Sequence, residues 1–79
     1  MIGTVIGEIT FEKSLASMRE HRWVQVRAGA QVLEAVDLVG SEKGEMVLLL
    51  SGKTAQRFCM GCPGDWAAAA VLSGAGNNG

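Results

Sequence analysis

The sequence has few of the residues that most often carry out chemistry. Its 79 residues include one histidine, one proline, two cysteines and no tyrosine. The chain is also shorter than the roughly 100 to 200 residues of a typical domain, which excludes a two-domain enzyme. The one histidine, His21, has no recognisable partner base or nucleophile in the sequence. These absences together argue against a catalytic protein.

The chain also has little net charge and no long apolar run. The 7 basic and 8 acidic residues leave a net charge of -1, which excludes nucleic-acid binding through bulk positive charge. The longest apolar runs, residues 46–50 and 66–72, fall far short of the ~20 residues of a membrane-spanning helix. We therefore expect no membrane partner, no secretory signal and a cytoplasmic location. A structural disulfide is not expected in that compartment.

Glycine and apolar residues are what the chain has in abundance. Glycine occupies 11 of 79 positions, which indicates many tight turns, and 48% hydrophobic residues exclude a disordered chain. A chain this short buries only roughly 60% of the surface that its unfolded form exposes, so its core is marginal. Small domains compensate with disulfides, metals or oligomerisation. Two cysteines allow one small bridge at most, so we predict an oligomer.

Runs of β-branched and alternating residues predict five strands: 2–10, 21–28, 31–39, 45–50 and 66–73. The last is assigned as a strand although its four alanines favour helix. Residues 11–20 and 51–64 are predicted as loops with a short helical turn, and residues 28–30 and 40–44 as turns. Five short strands predict a mainly all-β fold, a small and partly open OB-like barrel spanning residues 1–73, with a disordered tail at 74–79.

Three features of the strands carry specific expectations about the barrel. Strand alternation places Val5 and Ile9 on one face of the first strand. Asp37 stands inside an apolar strand, where a lone carboxylate would be costly to bury, so it should be hydrogen-bonded or face an interface. The apolar run at residues 46–50 should be buried on both faces or lie at an interface.

The segment Ser51-Gly52-Lys53-Thr54 is similar to the end of a phosphate-binding loop. The full motif needs a glycine five residues before Gly52, where this chain has Val47. A polar loop after a strand is the better interpretation.

Cys59-Met60-Gly61-Cys62 leaves three interpretations open. Two thiolates could be half of a zinc site shared between subunits, since structural zinc needs four ligands. They could form a redox pair, although the thioredoxin-like setting is missing. They could also be small loop residues in a reducing compartment, and no metal or cofactor is predicted.

An OB-like barrel also raises single-stranded nucleic-acid binding as an alternative function. Such a site needs stacking aromatics over a positive groove. Only Trp23 could stack on the expected face, and glutamates offset the nearby arginines.

Four segments resemble the EutN/CcmL family, the vertex proteins of bacterial microcompartments. Residues 1–9 resemble its opening glycine–x–valine–x–glycine strand, and residues 23–26 its second strand. Residues 35–48 carry the strongest match, an alanine-valine-aspartate followed by a glycine-rich turn, glycine-glutamate and an apolar strand. Residues 51–55 are similar to its small-residue turn. Ser41 and Glu42 depart from the family's alanine and glycine, and Lys53 and Thr54 from its small hydroxyl residues.

The resemblance implies a homopentamer of OB-like barrels that caps the vertices of a microcompartment shell beside hexameric shell proteins, with no enzymatic activity. It also implies a subunit interface at the turn after the third strand, formed by Gly40, Ser41, Gly44 and Glu45. The polar turn Ser51, Gly52, Lys53 and Thr54 would line the central opening of the ring.

Overall fold

The structure, a computed structural model, describes residues 1–57 and 64–73. Its elements are β1 (Ile2–Ile9), α1 (Ala16–Arg19), β2 (Arg22–Ala28), β3 (Gln31–Asp37), β4 (Met46–Ser51), α2 (Gly52–Ala55) and β5 (Trp66–Leu72). The five predicted strands and both helical turns are confirmed, including the alanine-rich β5. The predicted tail at 74–79 lies outside the described residues.

The strands form a closed barrel in the order β1-β2-β3-β5-β4. All neighbouring pairs are antiparallel except β3 and β5, which run parallel and pair only at Val36–Ala67 and Asp37–Ala68. The predicted OB-like barrel is therefore confirmed, and it is closed where partial opening was expected. Within the described residues, no helix is long and apolar enough to cross a membrane.

A two-residue turn joins β2 to β3 and fixes their register. Ala28 pairs with Gln31, which leaves Gly29 and Ala30 as the loop. Gly29 has φ +63°, and no residue other than glycine has a positive φ in the described part of the chain. A glycine with positive φ at the first central position is what a type II′ hairpin turn requires.

Two apolar clusters lie on opposite faces of the sheet. The inner cluster fills the barrel and consists of Val5, Val24, Val26, Ala35, Val47, Leu49 and Ala68. The outer cluster consists of Trp23, Val36, Ala55 and Ala67, with Ile9, Met18, Leu38 and Leu50 packed against it. Consecutive residues such as Trp23 and Val24 are both buried because each face of the strand meets a different cluster.

A β-bulge in β1 overturns the expectation that Val5 and Ile9 share a face. The register shifts between Val5, which pairs with Val26, and Gly7, which pairs with Gln25. The extra residue reverses the alternation beyond it. Val5 therefore lies in the inner cluster, whereas Ile9 packs against the outer cluster.

The apolar strand β4 is buried on one face only within the single chain. Val47 and Leu49 are fully buried in the inner cluster, whereas Met46 is 36% exposed and Leu48 and Leu50 are partly exposed. Burial on both faces is therefore wrong for the lone subunit. The alternative, an interface on the outer face, stays a prediction.

Candidate functional site

The turn between β3 and β4 is built on Asp37, the last residue of β3. Its carboxylate is wholly buried and accepts hydrogen bonds from the backbone amides of Val39, at 3.2 Å, and Ser41, at 2.9 Å. Of the two alternatives expected for Asp37, a hydrogen-bonded carboxylate or an interface position, the first is confirmed. These two bonds turn the backbone away from the sheet, so β3 ends at Asp37 and does not reach residue 39.

Arg22 holds the same turn from the neighbouring strand. One guanidinium nitrogen donates to Asp37 Oδ2 and to the backbone carbonyl of Ser41. Arg22 Nε also lies 3.5 Å from a carboxylate oxygen of Glu8. A single side chain on β2 thus connects β1, the end of β3 and the turn. Our sequence reasoning missed this role, although Arg22 and Asp37 are partners in the β2–β3 register.

The second half of the turn is attached to β1. The amide of Gly44 donates to the carbonyl of Val5 at 2.8 Å, and the amide of Val5 donates to the carbonyl of Glu45 at 2.9 Å. The Glu45 carboxylate accepts the amide of Glu42 at 2.6 Å. The turn is therefore anchored at both ends and presents a defined backbone.

The four predicted interface residues lie together in this turn but differ in access. Gly40 and Gly44 are exposed and have φ of +71° and +93°, a conformation that other residues rarely adopt. Glu45 is partly exposed, whereas Ser41 is fully buried within its own subunit. Of the four, only Glu45 can therefore offer a side chain to a neighbour, while the two glycines offer exposed backbone.

Removing the hydroxyl of Ser41 is expected to stabilise the fold. Ser41 Oγ is buried without a hydrogen-bond partner, and an unpaired buried polar group costs about 1 to 3 kcal/mol. Ser41→Ala should therefore raise the free energy of unfolding by about 1 kcal/mol in urea denaturation. Ser51→Ala, which removes an exposed hydroxyl that caps α2, should lower it instead. A loss of stability in Ser41→Ala would show that its hydroxyl is paired in solution.

The four predicted pore residues also lie together, where β4 passes into α2. The amide of Thr54 donates to Ser51 Oγ at 3.4 Å, so Ser51 caps the short helix. The amide of Gly52 donates to the carbonyl of Asp65 at 2.6 Å, and a Cβ at Gly52 would lie 2.6 Å from the carbonyl oxygen of Gly64. This close packing fixes the turn and leaves Ser51, Lys53 and Thr54 exposed.

Trp23 is not available as a stacking platform for bases. It is only 7% exposed, and its indole nitrogen donates to the carbonyl of Met18 at 2.9 Å. Phe11 packs against it edge to face, with ring centres 5.8 Å apart. Trp23 therefore holds the segment that contains α1 against the barrel, and the nucleic-acid alternative loses its one candidate aromatic.

Residues 1–57 and 64–73 contain no group of three or more His, Cys, Asp or Glu side chains that could hold a metal ion. Cys59 and Cys62 lie outside the described residues. His21 is partly exposed and directly precedes β2.

Solved structures with the same fold cover nearly the whole chain. CcmL of Gloeobacter violaceus aligns with a TM-score of 0.81 and 22% identity, over 98% of this chain and 89% of that one. The pentameric microcompartment shell protein GrpN of Rhodospirillum rubrum aligns with a TM-score of 0.77 and 21% identity, over 92% and 93%. EutN of Escherichia coli aligns with a TM-score of 0.76 and 22% identity, over 98% and 91%.

A search of curated protein sequences finds no match. The family model described as ethanolamine utilisation protein EutN/carboxysome, however, matches residues 1–72, which include all five strands of the barrel and both anchored turns. The chain therefore belongs to the EutN/CcmL family.

Proposed function

We propose that this protein is a structural subunit that forms homopentamers and caps the vertices of a bacterial microcompartment shell. The observation that carries the proposal is the family match over residues 1–72, together with a fold shared with shell proteins such as GrpN, which is pentameric. The marginal core expected of 79 residues fits a subunit that is completed by its neighbours.

The proposed role is assembly without catalysis. The subunit would act in the shell itself, inside the cytoplasm, with hexameric shell proteins as its neighbours. A ring of identical subunits needs a heterologous interface, in which two different surfaces of each copy meet. The surfaces that form the ring are therefore the functional sites of this protein.

We place one side of the subunit interface at the turn that carries Gly40, Ser41, Gly44 and Glu45. Anchoring at Asp37 and at Val5 supports this assignment, because a rigid loop loses little conformational entropy on binding. The two exposed glycines also allow another backbone to approach closely.

Reversing the charge at Glu45 is expected to weaken assembly. Glu45→Lys removes the carboxylate that accepts the Glu42 amide and places a cation on the partly exposed side of the turn. We expect the dissociation constant of the pentamer to rise at least about tenfold, equivalent to ~1.4 kcal/mol. Sedimentation of a dilution series measures this change.

Glu42→Lys is the matched control, because it makes the same charge change in the same turn on an exposed side chain. It should leave assembly near the wild-type level. Equal dissociation constants for wild type and Glu45→Lys would show that Glu45 lies outside the interface.

We propose that Ser51, Gly52, Lys53 and Thr54 line the central opening of the ring. The exposure of Ser51, Lys53 and Thr54 at the end of β4 supports this, and Lys53 makes no ion pair within the described part of the chain. Five copies of Lys53 near one axis would repel one another and attract a small anion. A structure of the assembly tests the assignment, since a turn on the outer rim would contradict it.

A further inference from the structure

An apolar groove lies on the outer face of the barrel, between the two anchored turns. Its volume is about 490 Å³, and its lining residues are Leu38, Val39, Leu48, Leu50, Thr54 and Ala69. None of these side chains is ionisable, and Thr54 is the only polar one. The sequence alone does not indicate this groove, because its residues come from the segment after β3, from β4, from α2 and from β5.

The groove includes the outward-facing side of the apolar strand β4, which a single subunit leaves partly exposed. Alternation sends Val47 and Leu49 into the barrel and leaves Leu48 and Leu50 on the outside. The apolar surface continues beyond the groove, because Ile2 is the register partner of Leu48 and is 53% exposed. Met46, on the same face of β4, is 36% exposed.

The floor of the groove is preformed. Leu38 and Leu50 pack against the outer cluster, and the amide of Leu38 donates to the carbonyl of Ala68 at 3.1 Å. Side chains held in this way lose little further freedom when a partner binds. A fixed apolar surface without charge fits another apolar protein surface and offers nothing to the phosphates of a nucleic acid.

We propose that this groove binds a second copy of the chain and forms the apolar centre of the subunit interface, an inference that depends on the pentamer proposed above. The groove is continuous with both proposed assembly turns, since Val39 directly precedes Gly40 and Thr54 belongs to the other turn. The neighbouring copy would cover the groove, while the Gly40–Glu45 turn and the Ser51–Thr54 turn lie at its two ends. This position accounts for leucines on the outside of a barrel strand.

A matched pair of valines tests the proposal. Val39 lines the groove and is 40% exposed, whereas Val32 on β3 is 45% exposed and is not among the groove residues. The experiment measures native mass and far-UV circular dichroism for wild type, Val39→Asp and Val32→Asp at equal concentration. We expect Val39→Asp to be a folded monomer under conditions where wild type and Val32→Asp are pentamers. Leu48→Asp should behave like Val39→Asp and serves as the second variant if Val39→Asp fails to fold.

The other outcomes are distinct. Pentamers of both Val39→Asp and Leu48→Asp would overturn the groove assignment and leave the proposed function intact. A wild type that is monomeric would overturn the proposed function, and the groove assignment with it. If residues 74–79 of the same chain cover the groove, a chain ending at Ser73 would lose stability while Val39→Asp stays pentameric, which would also overturn the assignment.

Discussion

Arg22→Met is expected to lower the free energy of unfolding by about 3 kcal/mol. The change removes the cation beside the wholly buried carboxylate of Asp37, and breaking a buried pair from one side typically costs about 3 to 5 kcal/mol. The lower end of that range applies because the amides of Val39 and Ser41 still donate to Asp37. Urea denaturation at a fixed subunit concentration measures the loss, since dissociation contributes to the stability of an oligomer.

The same variant should also weaken the pentamer, because Arg22 holds the carbonyl of Ser41 inside the proposed interface turn. Arg27→Met is the control, since Arg27 is an exposed arginine on the same strand; it should change stability by less than about 0.5 kcal/mol. Adding Asp37→Asn to Arg22→Met should recover part of the loss, because the buried charge is gone and the amide oxygen still accepts one of the two backbone hydrogen bonds. An unchanged stability in Arg22→Met would show that water replaces the guanidinium at no cost.

Gly3→Ala is expected to destabilise the barrel by about 2 kcal/mol. A Cβ at Gly3 would collide with Cγ1 of the fully buried Val26 and lie 2.9 Å from the carbonyl oxygen of Arg27. Backbone cannot yield easily in a closed barrel, and overpacking a core typically costs about 1 to 3 kcal/mol. A small domain has only about 5 to 15 kcal/mol of stability in total, so the change should be plain in thermal and urea unfolding.

Gly7→Ala is the matched control on the same strand. A Cβ at Gly7 meets nothing within 4 Å, and its φ is not positive. Alanine there should be neutral or stabilising by up to about 1 kcal/mol, because it restricts the unfolded chain. Equal effects of the two substitutions would contradict the close approach of β1 to β2 at Gly3.

Much of the barrel could be predicted because its determinants are local. Alternating β-branched residues and a few glycines mark the strands and turns, and an aspartate in an apolar strand must find partners. The bulge in β1 could not be predicted in the same way. It depends on the pairing of Gly7 with Gln25 across the sheet, and its effect is to move Ile9 to the other face.

The candidate site could likewise be predicted only in part, depending on whether its residues are close together in the sequence. Both turns are contiguous in sequence, so a family resemblance was sufficient to indicate them. Arg22 and the apolar groove depend on contacts between residues far apart in the chain. Leu38, Leu48 and Ala69 are all partly exposed in this groove, and they share one face because strand register sets the direction of their side chains.

The native mass of the purified protein is the most direct test of a vertex pentamer. One subunit has a mass of 8.3 kDa, and we expect a single species with five times that mass in native mass spectrometry. Dilution should convert it to subunits without a stable dimer or hexamer, because a head-to-tail ring closes only at its full number of copies. A monomer, a dimer or a hexamer as the only species would contradict the assignment as a vertex pentamer.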